Sequence, residues 1–234
     1  MASSRGADAS KTALEARYHH AMPVVGFRSH RADVIDTLDQ LKGMDIWART
    51  NVVLVPFRGV DGIDMERVAE EALSAGKRVG VCVVVDASDA STTAFTETPD
   101  DSTVVPDDAA VASDVPATAS FVDCVEVYSP TEIHEPCVEQ LKTALLGNSE
   151  GDTTGFSCLE LLDALCIVPG LVFDGEGYRV DRDEDAYNRF LTFFPGNKVA
   201  LVTPLQISSN PLPRSEHSIP VDYLVSEKAI WRCR

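Results

Sequence analysis

No run of 18 apolar residues occurs in this 234-residue chain, which excludes a membrane-spanning helix of ordinary length. The opening MASSRGADASK has no apolar signal core, so the expectation is a protein that stays in the cytoplasm. The six cysteines form no C-x-x-C pair, and Cys82, Cys124 and Cys166 sit inside apolar runs. That pattern predicts buried, reduced thiols rather than a disulfide framework. There is no Walker loop and no G-x-S-x-G nucleophile elbow. His19 and His20 diverge on a predicted helix, and His30, His134 and His217 stand alone, so no zinc constellation forms. Positive charge is scarce: 20 Lys and Arg against 37 Asp and Glu give a net charge of −17, with no Lys or Arg between Arg78 and Lys142. Such a balance argues against nucleic acid and anionic membranes as partners. It also opposes a polyanion such as ATP unless cations or a metal gather locally.

What is present reads as an α/β protein with a mostly parallel sheet flanked by helices. An apolar content of 44% suits one domain with a sizeable core. Residues 1–10 are expected to be disordered and residues 11–234 to form a single domain. Ser10 is positioned to cap a helix over residues 11–20. A second helix is predicted over 31–42, with Val34, Ile35, Leu38 and Leu41 on one face and Gly43 as its stop. Residues 51–57 (NVVLVPF) predict a buried strand, 64–75 a helix ended by Gly76, and 77–85 another strand. Strand, helix, strand at that spacing is a parallel βαβ unit. Residues 86–120 are acidic, rich in Ser, Thr and Ala, and interrupted by prolines. They carry too little apolar surface to offset ordering entropy and predict an insertion without fixed structure. Strands are expected again at 121–128 and 198–204.

The most informative stretch is 163–191. Residues 163–168 predict a buried strand, Gly170, Gly175 and Gly177 a tight loop, and Tyr187, Phe190, Leu191 and Phe194 a helix. A glycine loop between strand and helix is a common way to offer backbone N–H groups to phosphate. The stretch resembles the signature of the 5-formyltetrahydrofolate cyclo-ligases, roughly P-G-L-x-F-D-x-x-G-x-R-L-G-R-G-x-G-Y-Y-D-x-x-L. Pro169, Gly170, Leu171, Phe173, Asp174, Gly177, Arg179, Arg182, Tyr187 and Leu191 match it without a gap. Further along, Gln206, Leu212, Pro213, Glu216, His217, Val221, Asp222, Val225 and Glu227 resemble the family's terminal pattern. The departures fall at the chemistry. Asp181, Asp183 and Asp185 replace three glycines of the phosphate loop, Ala186 replaces a tyrosine, and Asn188 replaces an aspartate.

The resemblance implies a cyclo-ligase-like fold, a folate-type small molecule as substrate, and ATP with Mg²⁺ as the cofactors of an active member. It implies nucleotide contacts from Lys11, Arg179, Arg182 and Tyr187, a folate contact from Asp61, and a metal position at Asn188. In the family, the formyl oxygen of 5-formyltetrahydrofolate takes the γ-phosphoryl group, N10 attacks the activated carbon, and phosphate leaves. Positioned donors and cations carry such chemistry. A carboxylate about 4 Å from a phosphate charge instead costs on the order of 1 kcal/mol in water-like surroundings and about 4 when partly buried. The expectation is therefore a family member with weakened or lost ATP chemistry, a pseudoenzyme candidate. An active divergent cyclo-ligase is the alternative. A third reading is a non-catalytic module for metal or protein, in which Asp181, Asp183 and Asp185 hold a divalent cation. As an EF-hand that loop lacks the required glycine at Ala186 and the bidentate glutamate at Thr192.

Overall fold

The computed structural model describes residues 31–57, 63–85, 121–130, 156–181 and 184–233. Lys11, Asp61, Arg182 and Asp183, and the segments 1–10 and 86–120, lie outside the described residues.

Among the described residues, seven strands form one sheet in the order β10-β9-β7-β4-β1-β2-β3. These are β1 (Val52–Pro56), β2 (Arg78–Val85), β3 (Phe121–Val127), β4 (Leu165–Ile167), β7 (Asn197–Leu201), β9 (Tyr223–Val225) and β10 (Ile230–Arg232). The β9, β7, β4, β1 and β2 strands are mutually parallel, whereas β3 and β10 run antiparallel at the two edges. The uninterrupted apolar strings of the sequence are the strands covered on both faces, as parallel sheets require. In β1, Val53 and Val55 face one core, and Val52 and Leu54 face another.

The first core lies under α1 (Arg31–Lys42), α2 (Asp45–Arg49) and α3 (Met65–Ser74). Leu38, Leu41, Trp47, Met65 and Val68 pack there on Val79, Val81, Leu165 and Val199. Asp64 caps α3 by accepting hydrogen bonds from the Glu66 and Arg67 amides, and Gly76 ends it at φ +74°. Lys77 then reaches the Trp47 and Thr50 carbonyls at 2.7 and 2.6 Å, tying α2 to the sheet. Burial lowers the Lys77 pKa.

The second core lies under α5 (Glu184–Phe193), which turns Ala186, Tyr187 and Leu191 onto Leu54, Cys82, Cys124, Cys166 and Ala200. Cys82, Cys124 and Cys166 are buried free thiols, as their apolar contexts implied. Cys82 and Cys124 are register partners across β2 and β3, with sulfurs 2.8 Å apart. Burial pushes the Cys82 thiol well above its ordinary pKa, and the neighbouring thiols add to the rise.

Beside the cysteine pair, Gly80 leaves room for the Phe156 ring, and the Arg78 guanidinium stacks on that ring at 4.6 Å. Arg78 also grips Glu126 across the strands through two 2.6 Å hydrogen bonds and pairs with Glu160. The Arg78 hydrogen bonds hold the Glu126 carboxyl below its usual range. A carboxylate depressed on folding stabilises above its unfolded pKa of about 4.3, and that contribution is lost as pH falls through the folded value. With Arg78 37% exposed and Glu126 15%, solvent screening leaves on the order of 1 kcal/mol. Glu126→Gln is expected to lose that amount at neutral pH and almost nothing at about pH 2, read by urea denaturation at both values.

Three expectations differ in detail. The strand forecast for 163–168 is shorter, Leu165–Ile167, because Leu162 and Asp163 form the turn after the short helix α4 (Cys158–Leu161). The strand forecast for 198–204 ends at Leu201, and Pro204–Gln206 make a 3-10 turn closed by reciprocal bonds between Thr203 and Gln206. The glycine loop after β4 is no simple phosphate loop. It contains a hairpin, β5 (Val172–Asp174) and β6 (Arg179–Val180), which joins β8 (Ile207–Ser208) in a second, three-stranded sheet.

Candidate functional site at the carboxyl edge

In an open parallel sheet, ligands gather at the carboxyl ends of strands where the chain reverses its direction of winding. Here the chain passes from β1 to β2 on one side, then from β4 through β7 to β9 on the other. The switch point lies between β1 and β4, bounded by Phe57 and by Val168, Pro169 and Gly170.

The turn leaving β4 is fixed from across the sheet. The buried Gln206 amide donates to the Gly170 carbonyl at 3.1 Å, while its oxygen accepts from the Thr203 amide and hydroxyl. Gly170 has no room for a Cβ, which would stand 2.5 Å from the Phe173 ring. Phe173 is fully buried. Asp174 follows with a buried carboxylate. One oxygen accepts from the Glu176 and Tyr178 amides at 3.0 Å each; the other accepts from the Leu212 amide at 3.0 Å and Arg214 at 3.3 Å. Arg214 stacks on the Tyr178 ring at 4.0 Å and pairs with Glu176. The residues that carry the sequence resemblance here thus have a mechanical reason to be present: they fix a hairpin against the terminal segment.

The structure brings Arg179 and Asn188 onto the backbone of one residue, Ile219, with Tyr187 beside them. Arg179 is buried, and its Nη1 donates to the Ile219 carbonyl at 3.1 Å. Asn188 is equally buried, and its Oδ1 accepts from the Ile219 amide at 3.2 Å. Tyr187, next to Asn188 on α5, has its ring 5.9 Å from the Arg179 guanidinium. Its phenol lies inside the second core, where burial, then the nearby thiols, push its pKa well above the ordinary value. Asp181 is half-buried and Asp185 exposed. Nothing in the sequence pointed to Ile219, since the contact joins positions 31 and 40 residues apart.

The described part of this arrangement does not fit a magnesium nucleotide. The side-chain oxygen of Asn188, a weaker ligand for a hard cation than a carboxylate, already accepts a backbone hydrogen bond. Arg179 is turned onto a carbonyl. Asp185 lies in the first turn of α5, where its carboxylate complements the positive end of the helix and repels a second anion. Among the described residues, no three His, Cys, Asp or Glu side chains stand together to hold a metal.

Architecture and switch point define a doubly wound α/β protein with a small accessory sheet. The described helices include none long and apolar enough to cross a membrane. Its fold is that of solved 5,10-methenyltetrahydrofolate synthetases, the cyclo-ligase fold. The NMR structure of the Aquifex aeolicus synthetase matches with a TM-score of 0.61 at 22% identity, covering 96% of this chain and 93% of that one. The Mycoplasma pneumoniae synthetase matches with a TM-score of 0.55 at 10% identity, covering 94% and 99%. No family model and no curated protein matches the sequence.

Proposed function

We propose that this chain is a divergent member of the 5-formyltetrahydrofolate cyclo-ligase family, with weakened or lost ATP-dependent conversion of 5-formyltetrahydrofolate to 5,10-methenyltetrahydrofolate. The fold shared over nearly the full length of both synthetases supports the kinship. One observation carries the functional half: the buried Asn188, where the cyclo-ligase signature has an aspartate, is engaged by the Ile219 amide. The acidic substitutions at 181, 183 and 185 point the same way, because each adds repulsion where a triphosphate needs donors.

Thermal unfolding with Mg-ATP and with 5-formyltetrahydrofolate tests this reading. A ligand at 100 times its Kd stabilises by about 2.7 kcal/mol, or roughly 5–10 °C for a chain of this size. The expected result is no shift with Mg-ATP at millimolar concentration and no folate-dependent release of phosphate. Turnover of 5-formyltetrahydrofolate with ATP at about 1 s⁻¹ or faster, the ordinary enzymatic range, overturns the proposal in favour of an active, divergent enzyme. A shift with calcium or magnesium alone supports the acidic-loop cation module instead. Replacing Asp183 and Asp185 together by glycine is expected to raise nucleotide affinity at least about tenfold, since two repulsions of roughly 1 kcal/mol each are removed. Unchanged affinity in that variant removes the electrostatic argument.

A further inference from the structure

The opposite edge of the sheet, where β1, β4, β7 and β9 begin, carries a cleft of about 580 Å³. We propose that this cleft binds a small hydroxylated phosphate ester, with Arg49, Lys198 and Arg232 as the anion-holding groups. It stands apart from the carboxyl-edge site and does not depend on the function proposed for it.

Three observations converge. The first is charge. In a chain of net charge −17, Arg49, Lys198 and Arg232 share the cleft lining, among the described residues, with two carboxylates, Asp163 and Asp222. Three cations against two acids make this a locally positive concavity in a negative molecule, and a cleft wall of low dielectric concentrates that field.

The second is the state of those groups. Arg49 and Arg232 are exposed and form no ion pair with a described residue. Asp222 does not neutralise them. Its Oδ2 accepts the Lys198 amide at 2.7 Å and lies 3.7 Å from the Lys198 ammonium. Two guanidinium forks, each able to give paired N–H donors to a tetrahedral oxyanion, are left open toward the cleft.

The third is placement. Arg49 ends α2, Lys198 lies in β7, and Arg232 ends the edge strand β10. The backbone beneath is rigid: the Asn197 amide donates to the Ala164 carbonyl at 2.8 Å, and the Asp222 amide donates to the Lys198 carbonyl at 2.8 Å. Lys77, through the carbonyls of Trp47 and Thr50, holds the helix that bears Arg49. The cleft volume lies within the usual range for small-ligand sites. Tyr223 gives a partly buried ring as a wall for the carbon skeleton, and Asp163 and Asp222 are acceptors for ligand hydroxyls. That combination selects a phosphate ester bearing hydroxyls over a bare or apolar anion.

The test uses the isotope-labelled full chain, followed by backbone amide NMR during titration with ribose 5-phosphate, inorganic phosphate and ribose. The expected result is saturable movement of the Asn197, Lys198 and Tyr223 amides with ribose 5-phosphate, weaker binding of inorganic phosphate to the same amides, and none with ribose. Arg49→Ala combined with Arg232→Ala is expected to weaken ribose 5-phosphate binding at least about tenfold while the remaining spectrum is unchanged. Arg49→Lys with Arg232→Lys should retain part of the affinity, because charge survives without the fork. The proposal is overturned by the absence of saturable shifts up to about 20 mM. It is also overturned by shifts confined to Gly170 and Phe173 at the carboxyl edge, by equal affinity for inorganic phosphate, or by undiminished binding in the alanine variant. The wild-type titration stands by itself if the variants fold poorly.

Discussion

Replacing Asp174 by alanine is expected to destabilise the protein by about 3–5 kcal/mol, a large part of the total stability of an ordinary domain. The carboxylate is 2% exposed and answers three backbone amides, those of Glu176, Tyr178 and Leu212, together with Arg214. Alanine leaves those donors facing a void in the second sheet, and an unmet buried donor costs more than the bond itself contributed. Asp174→Asn separates charge from geometry. It keeps an acceptor for the Glu176 and Tyr178 amides but turns an amide nitrogen toward the Leu212 N–H, so it should fall between wild type and alanine. Guanidinium denaturation of the three proteins measures the series. A loss below about 1 kcal/mol for alanine would show that the hairpin is held mainly by apolar packing.

Gly177→Ala carries the second large effect, about 3 kcal/mol or more. Gly177 sits at φ +87°, and an alanine Cβ would stand 2.4 Å from the Val221 carbonyl oxygen. Left-handed backbone alone costs an L-residue roughly 1–2 kcal/mol, and the collision with a main-chain oxygen adds to it because the backbone must shift. The Gly177 carbonyl also accepts the Val221 amide at 2.9 Å, so the displacement propagates into the terminal segment that Arg179 and Asn188 clasp at Ile219. Gly175 is the control: nothing stands within 4 Å of its added Cβ, and alanine there should change stability little. Equal costs at the two glycines would refute the close-approach argument. Thermal and urea unfolding of both variants decide it.

Much of the fold was legible because burial on both faces writes itself into a sequence. The strings NVVLVPF and RVGVCVVV read as inner strands, and the helix forecast over 64–75 with its Gly76 stop matched α3 within a residue at each end. The α5 spacing of Tyr187, Leu191 and Phe194 located a helix, and all three residues are in the core. The hairpin Val172–Val180 was hidden. Strands of two and three residues leave no periodicity, and its glycines read as a phosphate loop. The direction of β3 was equally hidden, since the chain between β2 and β3 has no apolar pattern from which a crossover can be read.

The candidate site divides in the same way. Its negative charge was set by the residue types at 181, 183 and 185, whatever the fold did with them. Three residues selected by the resemblance have structural partners of their own. Arg179 and Asn188 hold the backbone carbonyl and amide of Ile219, and Tyr187 is buried in the second core.

The amino-acid sequence by itself determined a sheet buried on both sides and a reversed charge in the loop ahead of α5, because apolar runs and ionisable groups keep their nature in any arrangement. The tertiary structure alone decided that Asp174 answers the Leu212 amide, that Arg179 and Asn188 answer Ile219, and that Arg49, Lys198 and Arg232 line one cleft. Those partners lie tens of residues or more apart, and only the tertiary fold brings them within reach.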